Sequence, residues 1–257
     1  MMKNNLFKWM LLFFAMVSFV VSCDKSLTQP SVDTGAAQEN AATSKASRDI
    51  FGAVQSGVSV SKSLTACPIV TFELATGKLK LYYGTGCTNT NDGVNRSGII
   101  YAQVTGYQMG WVDGTKAVIQ FDGFKIDGDQ ITGGMTITAH GSANNLSFTV
   151  VATDMVITFS DATKIQWSST TTMTLMSTDN YGKYWSITGT STGVSRKNIN
   201  FSNASTALLT DPRCKWFIGG TLSLTAADNT DLITFSSTCG SVTIKHNSLP
   251  AIPFTLN

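Results

Sequence analysis

Charge is scarce in this chain. Lys, Arg, Asp and Glu together make up 13% of 257 residues, about half the usual share for a soluble domain. Only two of them are glutamates, Glu39 and Glu73. That removes the bidentate Glu that closes an EF-hand loop, and it leaves only Asp–Asp combinations for the paired carboxylates of glycoside hydrolysis. Histidine is limited to His140 and His246. Neither has a Cys, His or carboxylate at metal-ligand spacing nearby, so zinc chemistry has no local support, and both are expected at exposed turns. No G-x-S-x-G or S-x-x-K stands in a supporting context. No catalytic residue and no cofactor is assigned, and the chain is read as a non-enzyme. The Asp-Gly pairs Asp113-Gly114, Asp122-Gly123 and Asp127-Gly128-Asp129 could hold calcium through hard oxygen donors, but tight hairpins need the same residues.

Long apolar runs are also missing, with one exception. Met1 to Lys8 carries Lys3 and Lys8 and no acid, and Trp9 to Val21 is uncharged and mostly apolar. As a helix that run spans roughly 20 Å, short of the roughly 30 Å hydrocarbon core of a bilayer. It reads as the apolar core of a signal peptide covering residues 1–22. Val20-Val21-Ser22-Cys23 resembles the lipobox of bacterial lipoproteins cleaved by the type II signal peptidase. The resemblance implies that Cys23 is the lipid attachment site, acylated on its sulfur and, after cleavage, on its new N-terminus. Several acyl chains anchor stably, where one would be marginal. The expected location is the cell envelope, with the outer membrane favoured over the inner.

Removing residues 1–22 takes two lysines, so Lys+Arg falls from 18 to 16 against 16 Asp+Glu. The mature chain is formally neutral and lacks the basic footprint of a nucleic-acid binder. Thr, Ser and Gly replace charge, a composition that suits exposed antiparallel strands, since Thr is both β-branched and polar.

Residues 24–48 carry few large apolar groups and read as a tether. Ile50, Phe51, Val54 and Val58 then fall at helical spacing, which predicts one short amphipathic helix over Asp49–Val60. From Cys67 the period switches to two. Runs such as Lys78–Tyr83, Ile99–Thr105, Lys116–Phe124, Leu146–Ser160 and Lys164–Met176 are separated by Asp-Gly, Asn-Asn, Asp-Asn and Gly-Gly pairs, the turn signals of adjacent antiparallel strands. In Lys164–Met176, Ile165, Trp167, Met173 and Leu175 share one face and Gln166, Ser168, Thr170, Thr172 and Thr174 the other. The predicted fold is all-β, a large curved antiparallel meander built as a sandwich or an open half-barrel, with one short N-terminal helix. Three segments follow: signal 1–22, lipidated N-terminus with tether and helix 23–62, and β domain 63–257.

With Cys23 lipidated, Cys67, Cys87, Cys214 and Cys239 remain, allowing three pairings. In an oxidising compartment the local pairs Cys67–Cys87 and Cys214–Cys239 are expected, each stapling neighbouring strands. Free buried thiols are the alternative. Cys67-Pro68, Gly84-Thr85-Gly86-Cys87 and Asp92-Gly93-Val94-Asn95-Arg96-Ser97-Gly98 resemble a module of uncharacterised β-rich envelope lipoproteins. That resemblance implies a long meander and an envelope location, and no activity. Ser236-Ser237-Thr238-Cys239 departs from it where a Gly-rich turn precedes the last cysteine.

Aromatic residues are the remaining candidates for contact. Tyr181, Tyr184, Trp185 and Trp111 could present rings to a ligand, with Asn180–Trp185 read as a loop, although core packing uses the same residues. The expected function is a lipid-anchored envelope protein that binds or builds through a curved sheet. Its partners would be the membrane, through the acyl chains, and a protein, glycan or apolar ligand. One alternative is a carrier whose half-barrel is lined by Met109, Met135, Met155 and Met173. Others are an envelope hydrolase or carbohydrate-binding protein, and a calcium-stabilised adhesin.

Overall fold

Asp33 opens the first element: its side chain accepts a hydrogen bond from the Ala36 amide at 3.1 Å and caps helix α1, Thr34–Gly57, as short acidic residues do at helix starts. The computed structural model describes residues 33–59, 62–63, 67–141 and 145–257. The expected signal segment and the expected attachment site Cys23 lie outside the described residues. The helix therefore begins at Thr34 rather than Asp49, and the second half of the expected tether is helical. Nor is the helix amphipathic in the ordinary sense. All residues from Lys45 to Phe51 are buried, charged ones included, so the chain shows no polar face at the point where it is most enclosed.

Among the described residues fourteen strands follow in strict chain order, each paired antiparallel with its neighbour. They are β1 Lys62–Ser63, β2 Ile69–Glu73, β3 Lys78–Thr88, β4 Asn95–Thr105, β5 Lys116–Ile126, β6 Asp129–His140 and β7 Ser147–Thr158. The second half comprises β8 Lys164–Asp179, β9 Gly182–Val194, β10 Asn200–Thr210, β11 Phe217–Ala226, β12 Asn229–Phe235, β13 Ser241–His246 and β14 Ile252–Thr255. The predicted runs fall inside these strands to within about two residues, Leu146–Ser160 overrunning β7 on both sides; the short edge strands β1 and β14 carry too few residues to show a period. The meander is one open sheet, not closed into a barrel and not split into a sandwich. Helix α1 touches strands near both ends of the order and in its middle (β2, β3, β7 and β11), so the sheet curves around it.

Bulges supply that curvature. Register shifts occur between Ser97 and Ile99 in β4–β5, Thr132 and Gly134 in β6–β7, Ala152 and Met155 in β7–β8, and Leu175 and Ser177 in β8–β9. Each adds local twist and bends its strand. Gly98 shows why glycine is needed at one of them: φ is +81°, and a Cβ would stand 2.3 Å from the Gly123 carbonyl oxygen.

The concave face is filled by the helix and a continuous apolar core. Phe51 of α1 packs edge-on against Phe148 at 5.1 Å and Trp185 at 5.0 Å, and Trp111 against Phe148 at 5.2 Å. Met135, Met155 and Met173 are buried in this core, whereas Met109 is 90% exposed on a loop. Trp167, assigned to the apolar face of its strand, is buried. Two disulfides, Cys67–Cys87 with Cα atoms 5.9 Å apart and Cys214–Cys239 at 5.7 Å, make the expected local pairs. No helix among the described residues is long and apolar enough to cross a membrane.

Candidate functional site

The strand period puts Lys183 and Trp185 on the same face of β9, and that face looks toward α1. β8 and β9 form the longest hairpin of the sheet. Its β7 partner ends at Ser147, opposite Thr174, while β8 runs on to Asp179. The tip therefore projects beyond β7, while the Pro212–Arg213 segment flanks it on the other side. Asp179 holds the turn: one carboxylate oxygen accepts the amides of Tyr181 at 2.8 Å and Gly182 at 3.2 Å, and the other accepts the Tyr184 hydroxyl at 2.7 Å. The hydrogen bond from Tyr184 lowers the Asp179 pKa from its ordinary value and raises that of Tyr184.

Under this tip lies a cleft of about 500 Å³, within the size range of small-molecule sites. Its floor is one stripe of α1, with Arg48, Gly52, Gln55 and Ser56 at helical spacing. Val70, Leu81 and Tyr83 form one wall, and Tyr181, Lys183 and Trp185 the other. Cys67 and Cys214 border it as well, so one half of each disulfide lies beside it. Burial raises the Tyr83 hydroxyl to about 12, so the phenol stays neutral.

A buried charge cluster underlies the cleft. The Asp49 carboxylate meets the Lys45 amine at 3.0 Å and the Arg48 and Arg96 guanidinium groups, the last at 3.3 Å. Burial alone would raise the Asp49 pKa, but Arg48, Lys45 and Arg96 together outweigh it and hold the group well below the usual carboxylate range. Arg96 also pairs with Asp92 at 3.0 Å. Arg48 donates to the carbonyls of Lys215 at 2.7 Å and Trp216 at 3.1 Å, locking the helix to the start of β11. The Asp92–Gly98 motif thus has a structural use: an Asp–Arg pair reaching the helix, followed by the close-approach glycine.

The four aromatic candidates separate. Tyr181 is 54% exposed at the tip, under the Arg213 guanidinium at 4.8 Å, and lines the cleft. Trp185 is buried and lines it from inside. Tyr184 is spent on Asp179, and Trp111 is a core residue whose indole nitrogen donates to the Gln55 carbonyl at 3.1 Å. The segment Asn180–Trp185 is accordingly a hairpin turn running into β9, not a loop of exposed rings. Gln55 and Tyr83 carried no signal of a site, Phe51 read only as part of the helix's apolar face and Lys183 only as part of the Asn180–Trp185 segment; the curvature of the sheet brings them together.

The remaining candidates are placed as follows. His246 is buried, not turn-exposed: its Nδ1 lies 2.6 Å from Asp231 Oδ1 across β12–β13, and its Nε2 lies 3.3 Å from the Asn247 amide, which ties the hairpin together. His140 is exposed and bonds Thr149 at 2.9 Å. Gly189-Thr190-Ser191-Thr192-Gly193 has the spelling of a nucleophile elbow but runs through the middle of β9, not a strand-to-helix turn, and Ser191 is buried without a hydrogen-bond partner among the described residues. Among the described residues no group of three or more His, Cys, Asp or Glu could hold a metal. Asp113 accepts the Gly141 amide at 3.1 Å and Asp127 the Asn95 amide at 3.0 Å, hydrogen bonds that tie each turn to a segment distant in the chain.

The fold and cleft define a class, an open antiparallel half-barrel wrapped on a buried helix with a ligand-sized opening at one hairpin tip. Compared with protein-family models, curated proteins and solved structures, the chain matches none of them.

Proposed function

We propose that this is a lipid-anchored cell-envelope protein, non-catalytic, that binds a small ligand in the cleft between α1 and the β8–β9 tip. The observation that carries the reading is the cleft itself, about 500 Å³, whose exposed surface is mainly apolar although many of its lining residues are polar or charged, within the size range of a binding site. Gly52 supports it. It lies inside α1 and faces the cleft, and an added Cβ would meet nothing within 4 Å. Glycine in a helix interior costs about 1 kcal/mol against alanine, no packed neighbour requires it here, and its missing side chain leaves the floor of the cleft open. The anchor rests on the Val20–Cys23 sequence, and the two disulfides agree with an oxidising compartment.

Filling the cleft is the direct test. Gly52→Trp should leave the urea unfolding midpoint at or above that of the natural chain and abolish binding of small amphiphiles measured by titration calorimetry. Unchanged binding in that variant would end the proposal. For the anchor, Cys23→Ala should move the protein from the membrane fraction to the soluble envelope fraction and remove acyl label; retention in the membrane would refute it.

A further inference from the structure

The charges around the cleft cancel in every case but one. Arg48 and Arg96 are committed to Asp49 and Asp92. Asp211 is held by Arg213 through two hydrogen bonds, at 2.9 Å and 2.7 Å. Lys183 is the exception: it lines the cleft, and it has no ion-pair or hydrogen-bond partner among the described residues. Its surroundings are apolar enough that burial pushes its pKa below the ordinary value, with no charged neighbour contributing. A half-buried ammonium without an anion is costly to keep. Across the cleft, Gln55 is only 2% exposed, and its side-chain amide, which could offer two donors and an acceptor, also has no partner among the described residues. Tyr181, exposed at the tip, and the edge of Trp185, two residues after Lys183, supply adjoining ring surface, with Phe51 buried behind Trp185.

Resting on the cleft reading above, we infer that its ligand is an acidic amphiphile, with an apolar body lying against Pro68, Tyr181 and the edge of Trp185 and one anionic head group paired with Lys183. The Gln55 amide is the second polar contact available to the head group or to a polar atom next to it. Uncharged lipids would leave the ammonium unpaired, and cationic ligands would repel it. A ligand with several charges has no further free cation to meet among the described lining residues.

Decanoate and decanol test this, since they share a body and differ in the head group. In titration calorimetry at neutral pH, decanoate should bind at least about tenfold more tightly than decanol, the factor expected of one charge-assisted hydrogen bond. Lys183→Met should bring the two to equal affinity, whereas Lys183→Arg should keep the preference; melting curves of both variants check that they fold. Equal binding of the two by the natural chain, or a preference that survives Lys183→Met, would overturn the inference and leave the cleft standing. Binding of neither would overturn the cleft reading along with it.

Discussion

Asp49 is the residue on which most of the helix's docking converges. One carboxylate from α1 neutralises two cations of its own helix and, through Arg96, reaches β4. Replacing it with Asn would leave three buried cations short of a partner, so Asp49→Asn should lower stability by about 3–5 kcal/mol, the usual cost of breaking a buried pair. The pH dependence follows from the same group. Its folded pKa lies below the ordinary value of 3.8, so its contribution is fully present above that value and is lost as pH falls toward the folded pKa. Urea midpoints taken from neutral pH down to about pH 2 should show the gap between natural chain and variant narrowing as the medium becomes acidic. At this scale the sequence hides the site. Lys45 and Arg48 read as part of a tether and Asp49 as the first residue of a short helix, because nothing in their spacing tells that a sheet will close over them.

At the scale of elements, glycine and bulge positions decide how far each strand bends. Gly98 and Gly93 separate conformation from crowding. Both have positive φ, but a Cβ at Gly93 meets nothing within 4 Å while one at Gly98 meets the Gly123 carbonyl at 2.3 Å. Gly93→Ala should therefore cost about 1 kcal/mol, the low end of left-handed strain for a residue with a side chain. Gly98→Ala should cost more than twice that, because β4 and β5 must separate; thermal melting of the two variants checks the difference. Strand existence was legible from alternation, as in Lys164–Met176, where Ile165, Trp167 and Met173 are all buried. Strand ends and helix length were not. The hairpins continue past their last apolar residue on backbone pairing alone, and α1 starts at an Asp cap followed by small and polar residues that gain helical structure from packing.

For the whole molecule, an open sheet has two free edges, and closure around the helix has to be held by something other than strand pairing. The disulfides act near those edges, joining the start of β2 to the end of β3 and the β10–β11 turn to the β12–β13 turn. Their loops span 20 and 25 residues, for which the chain-entropy model gives roughly 3 kcal/mol each. Reduction with dithiothreitol should thus lower the urea midpoint substantially, and Cys67→Ala with Cys87→Ala should reproduce about half of the loss. A reduced protein with an unchanged midpoint would remove both bridges from the account of stability.

Alternation and turn pairs by themselves determined an antiparallel meander, because those signals are carried between residues close in the chain, while cysteine spacing only favoured the two local staples among three pairings. The expected anchor at Cys23 is of the same local kind. Whether the meander became a sandwich or an open sheet, what filled its hollow and where a cleft remained were decided only by tertiary structure. Curvature is the sum of small bends at separate bulges, and the cleft is assembled from α1, β2, β3, β9 and the segment around Asp211, residues up to about 160 positions apart in a chain whose local pattern carries no memory of that distance.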